Sequence, residues 1–420
     1  MTSQDFPLLT GDPRHASVPP FRAEPHEVAP GVLMLANFSN TFAVKTSAGL
    51  LLIDPGLQAF ASRVHDSVRA WSDAPLHTAM YTHGHVDHAF GLRSWLEAGE
   101  QPDIIAQENC IARFRRYQLT RGLNARINQR QFGLPQPVFP DQFDWPTITV
   151  RDSLTQRIGD TEVRYHAAKG ETDDALYTWL PDRGCLFAGD LVIWSAPNCG
   201  NPQKVQRYPM EWAQALEEMA ALNAEWLFPG HGLAVRGADA IRTMLTETAT
   251  WLRSIIDQVL TRLNAGQSPE EIFHAVEPDA ELSTRPFLRV TYDHPKFIVR
   301  NLLRLWGGWW DGNAAGLLPA PWAEQGREIA ALAGGIDALV ARGRALLAAG
   351  DLVMACHVAE WATRGHPDHR AAQELKRDAY AARLAQANET MTQGIYREAM
   401  NDAIAALGGA AELPDRRFQL

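Results

Sequence analysis

The segment Thr82-His83-Gly84-His85-Val86-Asp87-His88 constrains this chain more than any other. It places three imidazoles and a carboxylate within six residues, directly after a short apolar run at 79–82 that reads as a strand. A loop turning into a helix at that point lets His83 and His85 face one side, while Asp87 and His88 reach a second position. Neutral imidazole and carboxylate are the ligands that zinc and similar divalent ions favour. A solvated or helix-capping loop is the ordinary explanation of a single histidine. The H-x-H-x-D-H spacing argues for metal chemistry instead.

The surrounding text is strand-rich. Residues 31–37, 41–44 and 50–53 read as strands, the last ended by the strong turn Asp54-Pro55-Gly56. Further strands are expected at 104–106, 163–166, 176–180 and 185–188, with helices at 59–71, 93–97 and 210–222. This order predicts an α/β layered domain. Beyond about residue 238 the apolar spacing becomes purely helical, over 240–263, 334–350, 351–363, 368–387 and 389–407. Hairpin turns fall at Gly350-Asp351 and Gly365-His366-Pro367, and 314–321 reads as a loop or linker. With 420 residues, the chain is expected to form two domains, 1–240 and 241–420.

A formal charge of −10 argues against binding a phosphate backbone, so no nucleic-acid partner is expected. No run of 18 apolar residues predicts a membrane span, and the first 20 residues lack a basic-then-apolar leader pattern. Cys110, Cys185, Cys199 and Cys356 are scattered, as in a reduced cytoplasmic protein.

H-x-H-x-D-H resembles the signature of the metallo-β-lactamase superfamily. That resemblance implies an αββα sandwich, with a dinuclear site at one edge of its two sheets, followed here by an all-α helical domain. Gly170-Glu171-Thr172 resembles the Gly-His-Thr that supplies a third ligand, with Glu171 in place of histidine and Asp173 and Asp174 as competitors. Phe187-Ala188-Gly189-Asp190 resembles the strand end carrying the bridging acid, and Pro229-Gly230-His231 the final histidine. The implied sets are His83, His85 and Glu171 for one ion, Asp87, His88 and His231 for the other, and Asp190 between them. Two divalent metal ions are therefore expected, with zinc the expected element.

Glutamate in the third-ligand slot resembles the alkyl sulfatase branch. Asn264-Ala265-Gly266-Gln267-Ser268-Pro269-Glu270-Glu271-Ile272, Phe297-Ile298-Val299-Arg300-Asn301 and Gly308-Trp309-Trp310-Asp311-Gly312-Asn313 are similar to stretches of that branch. A homodimer through the helical half is what this resemblance implies. Two departures are visible. Asp190 stands where the branch tends to have glutamate, and the branch's sterol-carrier-like domain is not expected within these 420 residues.

An anionic ester needs cationic and amide donors besides the metals. Asn198, Lys204 and Arg207 fall in a Gly- and Pro-containing loop that resembles the branch's anion-contacting loop. Asp87 and Tyr117 complete the candidate catalytic set. Arg113 and Arg116 share a helix face near Tyr117, a pattern that usually means a solvated face. Trp306, Trp309, Trp310 and Phe297 form either plain core or an apolar tail pocket. The expected reaction converts an alkyl sulfate to an alcohol and sulfate. The rivals are hydrolysis of a thioester, lactone, phosphodiester or β-lactam, and a metal-binding protein-association module.

Overall fold

The computed structural model describes residues 25–414. Two sheets face one another. The first runs in the order β1 (Pro25–Ala29), β2 (Val32–Ala36), β3 (Asn40–Thr46), β4 (Gly49–Ile53), β5 (Leu76–Met80), β6 (Asp103–Gln107), β7 (Ile148–Val150). Its first four strands are an antiparallel meander, and β4 to β7 pair in parallel. The second sheet comprises β8 (Ser153–Ile158), β9 (Thr161–Ala168), β10 (Ala175–Leu180), β11 (Cys185–Gly189), β12 (Trp226–Pro229) and β13 (Val235–Arg236). Only β11 and β12 pair in parallel there.

Strand side chains alternate faces, and that alternation builds two separate cores. Leu176 and Leu180 of β10 and Phe187 of β11 point inward against Phe42, Leu51, Ile53 and Met80 of the first sheet. Tyr177, Trp179, Leu186 and Ala188 point outward. Helices α1 (Ala61–Trp71), α2 (Val86–Ala89), α3 (Arg93–Glu97), α4 (Asn109–Leu119) and α5 (Arg121–Phe132) lie among the first-sheet strands in the chain. α6 (Pro209–Ala221), α7 (Ala238–Asn264), α8 (Pro269–Ala275) and α9 (Pro295–Gly307) follow the second sheet. Trp212 and Leu216 of α6, Leu245 and Leu252 of α7, and Leu302 of α9 cover its outward face. Each such fully buried Leu contributes roughly 1.5–3 kcal/mol. The expected αββα sandwich is thus present.

Among the described residues, 140–308 join 25–121 in one compact unit, so α7, α8 and α9 belong to the sandwich's unit. The change of texture near residue 240 is a change of secondary structure, not the limit of the unit. Helical periodicity states that a face is apolar, not which core will cover it.

The other unit comprises, of the described residues, 122–139 and 309–414. It contains α10 (Trp322–Leu332), α11 (Ile336–Ala348), α12 (Leu352–Gly365), α13 (Arg370–Gln386) and α14 (Thr390–Ala406). Ala-rich faces bring these helices close, with Leu339, Leu346, Ala355, Ala359, Ala362 and Leu375 in the core. A Cβ on Gly326 would lie 2.4 Å from the Trp361 carbonyl oxygen, so α10 and α12 touch through backbone.

Two of the branch-like stretches act as punctuation. Ser268 and Glu271 form a reciprocal capping box at the start of α8, a device worth about 1 kcal/mol. Asp311 accepts from the Asn313 amide at 2.9 Å, and Asn313 accepts from the Ala315 amide at 3.0 Å. Among the described residues, no helix is long and apolar enough to cross a membrane.

Candidate metal centre

Two parallel strand pairs, β4–β5 in the first sheet and β11–β12 in the second, end at the site. β4 delivers Asp54, β5 delivers Thr82 and His83, β11 delivers Asp190, and β12 delivers His231. The β9–β10 connection adds Glu171, and α2 carries Asp87 and His88. All seven sequence-predicted ligands therefore converge. His83, His85, Glu171 and Asp190 form one group, and Asp87, His88 and His231 another. Asp190 faces both: its Oδ2 lies 3.7 Å from His83 Nε2, and its Oδ1 lies 3.2 Å from His88 Nε2 and 3.3 Å from His231 Nε2. Gly230 makes room for it, since a Cβ there would fall 2.1 Å from Asp190 Oδ1.

Hydrogen-bond bookkeeping fixes the imidazole tautomers. Thr82 Oγ1 donates to Asp54 Oδ2 at 2.7 Å, so it is free to accept from His83 Nδ1 at 3.1 Å. His88 Nδ1 donates to Asp54 Oδ2 at 2.7 Å, and His231 Nδ1 donates to the Phe38 carbonyl at 2.8 Å. Each ring thereby turns an Nε2 lone pair toward the carboxylates. His85 instead presents Nδ1, 2.9 Å from His83 Nε2 and 3.7 Å from Glu171 Oε1. His88 Nε2 and Asp190 Oδ1 are buried without a well-aligned hydrogen bond despite their proximity. Converging lone pairs and acid oxygens call for cations, and imidazole with carboxylate suits divalent metal ions.

Electrostatics agree. Burial, with the neighbouring His88 charge, pushes His83 down to about 4, and burial with His83 holds His85 well below the usual histidine value. Burial and the Asp190 charge push Glu171 up to about 8 against the pull of Arg207. Although burial opposes it, Asp190, Asp87 and Asp54 raise His88 well above the ordinary value. Such mutual stress is what bound cations relieve.

Glu171 is the acid that reaches the cluster, while its competitors are engaged elsewhere. Asp174 accepts from the Gly84 amide at 3.0 Å and from Arg113 Nε at 2.8 Å, and Asp173 takes Arg113 Nη2 at 2.5 Å. Arg113 is buried, so it does not sit on a solvated face. The structure places Tyr117 beside that arginine, outside both ligand groups.

Of the loop candidates, Asn198 Nδ2 donates to Glu171 Oε1 at 2.7 Å and Arg207 Nη1 donates to the same oxygen at 2.6 Å. Both therefore support Glu171, a role not foreseen for them. Arg207 is itself pinned, its amide donating to Asn301 Oδ1 at 3.2 Å while Asn301 Nδ2 donates to its carbonyl at 2.9 Å. Burial, with the nearby Arg207 charge, lowers Lys204 to about 8, while Glu171 and Asp87 pull the other way. Phe297 backs this loop, because a Cβ on Gly200 would meet its carbonyl carbon at 2.2 Å. Trp309 and Trp310 are exposed.

Three positions were not read from the sequence. Asp54, taken only as a turn residue, orients His88 and the Thr82–His83 strand end. Asn40 Nδ2 ties the carbonyls of Pro229 and Gly232, which flank His231, at 2.9 and 2.8 Å. Tyr292 is half-buried between Thr291, bonded to Ser195 at 2.7 Å, and Asp293, which accepts from the Gly200 amide at 2.9 Å. Burial and the charges of Asp87, Glu171 and Asp190 raise its phenol well above the usual range.

Residues 35–231 match the profile of the Metallo-beta-lactamase superfamily, and residues 268–404 match Alkyl sulfatase dimerisation. The chain thus carries a metallo-β-lactamase superfamily domain followed by an alkyl sulfatase dimerisation domain. A linear primary-alkylsulfatase of Pseudomonas sp. is 28% identical over 365 residues, covering 79% of this chain and 68% of that protein. An (R)-specific secondary-alkylsulfatase of Pseudomonas sp. is 23% identical, covering 85% of this chain and 59% of its own length. The solved inverting sec-alkylsulfatase Pisa1 from Pseudomonas sp. superposes with a TM-score of 0.81 at 22% identity, over 94% of this chain and 67% of that one. The superfamily fold is thereby established, and the chain spans roughly six- to seven-tenths of these relatives' lengths.

Proposed function

We propose that this chain is a dinuclear metallohydrolase that cleaves alkyl sulfates to an alcohol and inorganic sulfate. The observation that carries the proposal is the pair of Asp190 oxygens, each facing a different set of imidazole lone pairs. His83, His85 and Glu171 would hold one divalent ion, Asp87, His88 and His231 the other, with Asp190 shared and zinc the proposed element. Bound there, the ions would act as Lewis acids on the ester and lower the pKa of water.

The chain's own groups do the rest. Lys204 adds a positive charge beside Glu171 and Asp87 that suits the sulfate oxygens. Asn198 and Arg207 hold Glu171 in place, and Arg207 adds positive charge to the same wall. His88 and His231 outweigh burial and lower Asp87, which stays ionised and able to accept a proton during water attack. The named activities of the alkylsulfatase relatives support the ester class.

The helical unit supports self-association. Trp309, Leu318, Trp322 and Leu332 are 73%, 92%, 63% and 80% exposed, and an apolar surface of that kind favours a partner. The match to the dimerisation family favours a second copy of this chain, and the scattered buried cysteines suit a cytoplasmic setting. An assay of metal-loaded protein for released sulfate, against released thiol or carboxylic acid from thioester, lactone and β-lactam probes, tests the reaction. Sulfate release from alkyl sulfates supports it; activity on another ester class alone defeats it.

A further inference from the structure

Gly84 is the single residue between His83 and His85, and its peptide is gripped from behind. Asp174 Oδ2 accepts its amide at 3.0 Å. Arg113, reaching in from α4, donates Nε to the other Asp174 oxygen at 2.8 Å and Nη2 to Asp173 at 2.5 Å. Asp174 is 0% and Arg113 3% exposed. A Cβ on Gly84 would meet Arg113 Cδ at 2.8 Å and Asp174 Oδ2 at 3.0 Å, so the fit leaves no room for a side chain.

A buried ion pair of this kind adds little stability relative to well-packed apolar residues, and its value lies in fixing one arrangement. The arrangement fixed here is the backbone between two ligands of the same group. His88 and His231 are oriented by other partners, Asp54 and the Phe38 carbonyl.

We propose that Arg113 and Asp174 are positioning residues for one half of the site only: they set the His83–His85 pair and leave the Asp87–His88–His231 group untouched. The inference rests on the two-ion reading above and adds that the His83–His85 backbone has a clamp of its own, beyond the Asp54 support that both groups share. An outer support of a metal ligand is typically worth about 10–100-fold in affinity.

The test is stepwise titration of metal-free protein with cobalt(II) alone, followed by its absorption spectrum and by competition with a chromophoric chelator. It is run on the natural protein, Asp174→Asn, Arg113→Lys and Arg113→Met, each with its thermal midpoint. One binding step should weaken about 10–100-fold in Asp174→Asn and Arg113→Met, less in Arg113→Lys, while the other step keeps its affinity and spectrum. Parallel weakening of both steps, or no change in either, overturns the proposal. If the single variants do not fold, the apolar pair Arg113→Met with Asp174→Leu carries the same test. Should the natural protein bind fewer than two ions, the two-ion reading fails; two ions with no selective loss defeats only the clamp.

Discussion

Asp54 and His88 are joined by a 2.7 Å hydrogen bond from His88 Nδ1 to Asp54 Oδ2, with both side chains buried. Asp54 occupies a left-handed backbone position, φ 52°, at the end of β4. From there its carboxylate also takes the amide and hydroxyl of Thr82 at 2.7 Å each. One acid thus steers side chains of both candidate groups.

Replacing it should show this directly. In Asp54→Ala the His88 ring loses its anchor, and affinity for the ion held by His88 should fall about 10–100-fold, with activity at limiting metal falling alongside. Chelator competition measures the loss. An Asp54→Ala protein with unchanged metal affinity would contradict the assignment of His88 as an oriented ligand.

Lys204 makes a prediction about pH. Its ammonium is lowered to about 8 by burial and by Arg207, so it discharges as pH rises through that value. If it binds the sulfate group, KM should climb above pH 8 while kcat changes less. Lys204→Met should raise KM by roughly 10–100-fold at pH 7, the worth of one charged hydrogen bond of about 1.5–3 kcal/mol, and flatten the pH dependence. Steady-state kinetics from pH 6.5 to 9 check this; an unaltered KM removes Lys204 from the anion site.

Metal-free protein should lose stability as pH rises from 6.5 toward 8. Over that window folded Glu171, pushed up to about 8, keeps a proton that the unfolded chain has released. His88 and His231, raised above 6.5 by Asp190 once burial is overcome, do the same. His83 and His85, held low, oppose this mainly near pH 6.5, and Lys204, lowered to about 8, mainly near pH 8. Between those limits the folded state binds more protons than the unfolded one, so the unfolding free energy falls with pH. Thermal melts in chelator measure it, and Glu171→Gln should shallow the slope. A stability that climbs over this range would contradict the charge arrangement.

Much of the candidate cluster was legible because its residues announce themselves locally. His83 to His88 share one loop, and Asp190 and His231 each follow an apolar strand. What escaped depends on pairings far apart in sequence. Asp54 looked like any acid in a D-P-G turn, since its value comes from β4 lying parallel to β5. Arg113 and Arg116 share a helix face, yet only the fold decides that Arg113 is buried against Asp174. The adjacent acids Glu171, Asp173 and Asp174 are equivalent as text, and the β9–β10 turn sends the first to the ligand cluster and the others to Arg113. Likewise α7 carries an ordinary helical repeat that gives no sign of the sheet it covers.

The central claim is most directly tested by following sulfate release from an alkyl sulfate while zinc is added back to metal-free protein. We expect activity to rise until two equivalents per chain are bound and then level off. Full activity at one equivalent, or no sulfate release at any loading, would contradict the account.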